Sequence, residues 1–219
     1  MRLKEKYKYI IDYFERTMPD VESELHYRNP FELLVSVILS AQCTDKRVNM
    51  VTPALFSAYP TPEMMSESDE TSIYALIKSV SYPNSKAKHL LEMSKILVAE
   101  YGGVVPDTTE ELVRLPGVGR KTANVVQAVI WGKATFAVDT HIFRVSHRLG
   151  LVSDKATTPY SVEKVLSSNI PDSLIPRAHH WLLLHGRYVC QSRKAKCSIC
   201  GLREVCKSYN SSNKSKKTD

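Results

Sequence analysis

No apolar run in the sequence is long enough to cross a bilayer. The longest, FELLVSVILSA, falls short of the roughly 20 residues a spanning helix needs and is interrupted by Glu32 and Ser36. The N-terminus, MRLKEKYKYIIDYFERTM, lacks the unbroken apolar core of a signal peptide; its charges alternate with apolar residues at helical spacing. These absences point to a soluble intracellular protein, in which disulfides are unusual. The alternation of apolar and polar residues that marks a half-buried strand is missing as well. Glycine is scarce, 8 in 219 residues, so each one punctuates the chain.

What is present is an ordinary globular composition, 43% hydrophobic, in a chain long enough for one large or two small domains. A net charge of +7 favours a polyanionic partner, either nucleic acid or a negatively charged membrane surface. Charge alone fits a merely soluble basic protein equally well.

Nearly every segment has helical period. Asn29-Pro30 opens FELLVSVILSAQ, Thr44 or Asp45 opens the next helix, and Gly102-Gly103 closes KAKHLLEMSKILVAEY. TTEE at 108–111 has the capping-box pattern, which predicts a brief helix ending near Leu115, ahead of Pro116. A second helix runs from Arg120 to Trp131, apolar along Ala123, Val126, Val129 and Ile130, and stops at Gly132. KATFAV then leads to Asp139 and a further helix, THIFRVSHRLG, with Gly150 as its stop. The end, SYNSSNKSKKTD, is expected to be a disordered basic tail.

Between the two helices lies LPGVG. Its glycines, Gly117 and Gly119, accept positive φ without a Cβ clash, so the backbone turns sharply and presents N–H groups at a helix start, where a phosphate is attracted. The glycine-lysine-serine/threonine ending of nucleotide-binding phosphate loops is absent, and a plain structural turn is the alternative. Lys121 falls in the first turn of the second helix, near the positive end of its dipole, where a cation is disfavoured. If it is also desolvated, the neutral amine becomes a nucleophile able to form a Schiff base with a sugar or carbonyl carbon. An exposed lysine that neutralises phosphate is the simpler reading.

A partner is within reach. From Lys121 to Gly132 the helix rises roughly 16 Å, and the stretch on to Asp139, if extended, covers roughly 23 Å in return. Asp139 can therefore come back beside Lys121. It also sits where an N-cap belongs, and the roles are compatible, since helix-end donors keep a carboxylate ionised and oriented.

The segment CQSRKAKCSICGLREVC spaces Cys190, Cys197, Cys200 and Cys206 as C-x6-C-x2-C-x5-C. Structural zinc usually gathers two close pairs, and only one x2 spacing occurs here; a four-iron cluster suits a more distributed ring, while zinc and disulfides remain alternatives. Cys43 reads as an apolar filler. Arg193, Lys194 and Lys196 sit in the x6 loop, where a bound cluster would hold them against a polyanion; ordinary surface solvation is the alternative. His179, His180 and His185 read as packing or hydrogen-bonding residues.

Taken together, LPGVGRKTANVV, VDTHIFRV, HHWLLLHGRYVC and the cysteine spacing resemble the endonuclease III family of base-excision DNA glycosylases. SAQCTDKRVN and NSKA join the match, which extends from Arg28 to Cys206. The resemblance implies an all-α, two-lobed helix-hairpin-helix DNA glycosylase fold. A six-helix barrel domain would span 23–133, with the hairpin at 108–128; residues 1–22 plus 134–208 would form a [4Fe-4S] cluster domain, and 209–219 the tail. It also implies a bifunctional glycosylase and abasic-site lyase that flips an oxidised pyrimidine out of duplex DNA and cleaves the strand 3′ to the abasic site by β-elimination. Lys121 matches the nucleophile and Asp139 the catalytic aspartate. Gln42 corresponds to the residue that fills the hole left by the flipped base, Leu115, Gly117, Val118 and Gly119 to the phosphate-gripping turn, and Tyr82 to the wedge loop. A monomer acting in the cytoplasm on the nucleoid, with no membrane, follows from the same likeness.

The pattern departs at SYPNSKA, where a glycine, an apolar residue and a further residue commonly precede the asparagine, so Ser81 and Pro83 bear on the wedge. Two other readings compete. The adenine-specific mismatch glycosylases share the hairpin, aspartate and cluster but lack the lysine and carry an extra domain; Lys121 and the chain length speak against that class. A non-catalytic DNA-binding protein would use the hairpin and metal for structure alone.

Overall fold

A computed structural model describes residues 1–215, and no strand occurs among them. The helices are α1 (Leu3–Thr17), α2 (Pro30–Ser40), α3 (Asp45–Ala58), α4 (Pro62–Ser66), α5 (Glu70–Ile77), α6 (Pro83–Tyr101), α7 (Thr109–Leu112), α8 (Arg120–Trp131), α9 (Thr140–Leu149), α10 (Pro159–Asn169), α11 (Ile175–Tyr188) and α12 (Lys207–Ser215). The chain divides into two compact units: Ser23–Trp131, and Met1–Glu22 together with the chain from Gly132 onward.

The central unit is organised by α2. Every residue from Phe31 to Leu39 is buried, as expected of a helix that is apolar on all sides. Its start follows local chemistry: the Asn29 side chain accepts from the Glu32 N–H at 2.9 Å, with Pro30 at the first helical position. Glu32, an interruption in the sequence, is buried yet paired. It accepts from the Arg28 guanidinium at 2.6 Å and from the Arg28 N–H at 2.8 Å, which offsets the desolvation of its carboxylate. Around α2 pack α3, α6 and α8, with α4 and α5 against α6.

The second unit joins the two ends of the chain. Helix α1 supplies Tyr7, Ile10 and Phe14 to a core completed by Phe136, Ile142, Val145, Leu166 and Trp181. Phe14 stacks on Trp181 with centroids 5.8 Å apart, and the indole N–H donates to the Met18 carbonyl at 2.8 Å. Two further bonds tie α1 to the end of α9: Lys6 Nζ to the Leu149 carbonyl at 2.9 Å and the Tyr7 hydroxyl to the Leu151 carbonyl at 3.0 Å. Helices α10, α11 and α12 pack on α9.

The expected disordered tail from 209 is helical through Ser215, and 216–219 lie outside the described residues. Lys207 Nζ pairs with both Asp154 oxygens at 2.8 Å, and the Ser211 and Ser212 hydroxyls bond to carbonyls one turn back. Among the described residues no helix is long and apolar enough to cross a membrane.

Phe14→Ala removes the ring at the centre of the two-ended core. It is expected to cost about 3–5 kcal/mol in chemical denaturation, with hydrogen-exchange protection falling more in α9 and α11 than in α2.

Candidate active site

The hairpin forms from short-range signals. The Thr108 hydroxyl caps α7 by accepting from the Glu111 N–H at 3.3 Å, and it donates to the Glu111 carboxylate at 2.6 Å. The Val118 N–H closes the turn on the Leu115 carbonyl at 3.1 Å, and α8 begins where the Ala123 N–H meets the Gly119 carbonyl at 3.0 Å. Leu115 and Val118 are both buried, so their side chains anchor the turn in the core. What these positions offer a ligand is therefore backbone. The first N–H groups of α8 have no helical carbonyl to bond, and a phosphate suits that end.

The two glycines differ. Gly117 lies at φ +80°, with a hypothetical Cβ only 3.1 Å from His89 Cβ. Gly119 has no positive φ and open space around it, so the expectation of special backbone holds for only one of the pair. The hairpin is braced by Gln127, which sequence reading missed: it accepts from the Thr109 hydroxyl at 2.8 Å and donates to the Asp107 carbonyl at 2.7 Å. Its one signal was a polar residue on the apolar side of α8.

Lys121 is exposed in the first turn of α8. Gln42 and Tyr82, in the same unit, are also exposed and adopt φ of 53° and 54°, a region that costs an L-residue roughly 1–2 kcal/mol. Pro83 takes the first position of α6 and Tyr82 its N-cap. Ser81 has no positive φ, so the missing glycine costs nothing there.

In the second unit, Asp139 is half-buried and caps α9, accepting from the Ile142 N–H at 2.8 Å through Oδ1. Oδ2 takes no part in the cap. Two arginines of α9, unforeseen from the sequence, organise the loop that carries the cysteines. Arg144 donates to the Gly186 carbonyl at 2.8 Å and the Cys190 carbonyl at 3.1 Å; Arg148 donates to Gln191 at 2.7 Å and Ser192 at 2.9 Å. Arg193, Lys194 and Lys196 are exposed on that loop. The first two line a groove of about 460 Å³ with His141, Arg144 and Arg187.

Cys190, Cys197, Cys200 and Cys206 line one pocket, walled otherwise by Leu149, His185, Val189 and Tyr209 among others. Among the described residues no group of three or more His, Cys, Asp or Glu forms a site for a metal ion as it stands. The donor set nonetheless suits a thiophilic metal: four thiols around a shared space, with Arg148 Nη1 3.6 Å from Cys190 Sγ. Burial pushes the Cys200 and Cys206 thiols up, and the other cysteines add to it, while backbone N–H groups of Leu202, Ser208 and Tyr209 pull the other way. Burial also holds His185 neutral, its pKa pushed down to about 4, with Nε2 3.7 Å from Cys200 Sγ.

A helix-hairpin-helix at one helix start, an aspartate at another and a four-thiol loop define a class of DNA repair protein, and comparison with known proteins agrees. Residues 35–172 match the HhH-GPD superfamily base excision DNA repair protein pattern. Endonuclease III of Rickettsia felis is 48% identical over 202 residues, 92% of this chain and 94% of the relative. A trapped endonuclease III–DNA covalent intermediate, an estranged-adenine complex, matches with a TM-score of 0.90 at 39% identity, covering 97% of this chain and 100% of that one. A non-covalent endonuclease III–DNA complex matches with the same score and identity over 98% and 100%. The chain belongs to the endonuclease III family, the bifunctional DNA glycosylases and abasic-site lyases of base excision repair.

Gly117→Ala meets both a strained φ and the His89 side chain. A loss of about 1–3 kcal/mol is expected by thermal denaturation, accompanied by weaker duplex binding; Gly119→Ala costs less.

Proposed function

We propose that Lys121 is the nucleophile of this enzyme and Asp139 the carboxylate that serves it, acting on oxidised pyrimidines in duplex DNA. The amine of Lys121 attacks C1′ of the deoxyribose as the bond from C1′ to the base breaks, and the departing base takes up a proton. Ring opening then gives a Schiff base between Nζ and C1′, and loss of a C2′ proton expels the 3′ phosphate by β-elimination. Asp139 accepts a proton from the lysine and stabilises positive charge developing on the sugar. The single observation that most supports this reading is the likeness, over nearly all of both chains, to an endonuclease III trapped covalently on DNA. Lys121 is a primary amine on the hairpin helix.

The remaining contacts divide by chemistry. The hairpin turn from Leu115 to Gly119 holds phosphate by its backbone, Arg193, Lys194 and Lys196 hold phosphate by charge, and Gln42 and Tyr82 enter the stack where the base is flipped out. The cysteine ring at 190, 197, 200 and 206 carries a [4Fe-4S] cluster, which supplies a rigid tie for the basic loop. The enzyme works as a monomer inside the cell, on the nucleoid.

Lys121→Ala is expected to abolish borohydride trapping on lesion-containing duplex and all strand cleavage, with unchanged thermal stability because the side chain is exposed. Asp139→Asn keeps an N-cap and slows both by about 10²–10⁴-fold. Cleavage by the lysine variant at the wild-type rate would refute the assignment, leaving a non-catalytic hairpin protein. Purified protein is expected to absorb broadly in the visible and hold about four irons per chain; a colourless zinc protein would overturn the cluster alone.

A further inference from the structure

Gln42 and Tyr82 are the residues other than glycine that take positive φ among those described. They belong to different loops, yet one hydrogen bond joins them: the Ser81 hydroxyl donates to the Gln42 carbonyl at 2.7 Å, across 39 residues of chain. A second tie lies one turn along α6. Lys86, only 5% exposed, donates from Nζ to the carbonyls of Leu39 and Ala41, both at 2.8 Å. Those carbonyls end α2 and have no helical partner, and the negative end of the helix dipole favours an ammonium there. Burial lowers the pKa of Lys86, but the two acceptors stand ready for the charged form.

Both donors come from the segment 81–86 and every acceptor from 39–42, so the loop bearing Tyr82 and the turn bearing Gln42 are held as one template. Pro83, with its fixed φ at the head of α6, holds that template against rearrangement. A glycine at position 81 has no hydroxyl to offer, so the departure noted in the sequence becomes a new contact.

We propose that Ser81 is a positioning residue whose hydroxyl locks Gln42 and Tyr82 into one two-pronged unit, so that both side chains enter damaged DNA together. Preorganisation of this kind lowers the ordering cost of insertion. The inference rests on the reading of Gln42 and Tyr82 as inserting residues.

The test uses the full chain under single turnover, on a duplex with one 5,6-dihydroxy-5,6-dihydrothymine and 2-aminopurine beside it to report unstacking. Ser81→Ala is expected to slow the fluorescence rise and base excision about fivefold, the effect of one lost hydrogen bond, while Ser81→Thr restores both. In a Gln42→Ala background, Ser81→Ala is expected to cost less than it does alone, because the bond to the residue-42 carbonyl then positions Tyr82 only. Wild-type rates in Ser81→Ala, a Ser81→Thr variant as slow as the alanine, or fully additive losses with Gln42→Ala would each overturn the proposal. Wild-type protein that excises and traps nothing would instead sink the proposed chemistry, and this inference with it.

Discussion

A helix ends with carbonyls that have no partner inside it, and in both units of this protein a cation from another helix takes them up. Lys86 of α6 meets the end of α2, and Lys6 of α1 meets the Leu149 carbonyl at the end of α9. Arg144 and Arg148 extend the arrangement to the last turn of α11 and the loop after it, holding carbonyls at Gly186, Cys190, Gln191 and Ser192. Each bond satisfies groups that would otherwise be costly to bury. Lys86 thereby fixes the turn of Gln42 in one unit, and the arginines fix the cysteine loop in the other.

The starts of helices carry the complementary half. Asp139 uses one oxygen as the cap of α9, which orients the carboxylate without consuming it. Helix α8 starts at a turn whose apolar residues, Leu115 and Val118, are buried. Anion at one end and cation at the other is what the helix dipole favours.

Much of this was legible in advance. Asn29, Thr44 and Thr108 each accept from a backbone N–H three residues on, and Gly102 and Gly150 end their helices in the left-handed region, as residue type alone indicates. Such signals are local, so sequence carries them. The long-range donors were not legible: Gln127, Arg144 and Arg148 read as ordinary polar residues, and nothing marked Ser81 or Lys86 as a hydrogen-bond donor, since their acceptors are backbone carbonyls distant in the chain. Gly119 was read with Gly117 as special, because the motif does not say which of the two takes the turn. The tail is helical through Ser215 where its composition suggested no structure.

The helix starts at Asn29, Thr44 and Thr108 and the stops at Gly102, Gly132 and Gly150 were therefore determined by sequence alone, although the brief helix expected to run to Leu115 ends at Leu112, because caps and periodicity are properties of residues and near neighbours. Tertiary structure decided which polar side chains became braces. It decided that the ring of thiols shares one pocket and that a serine, in place of a glycine, bonds across to Gln42. Those outcomes depend on where distant carbonyls come to lie, and only packing determines that.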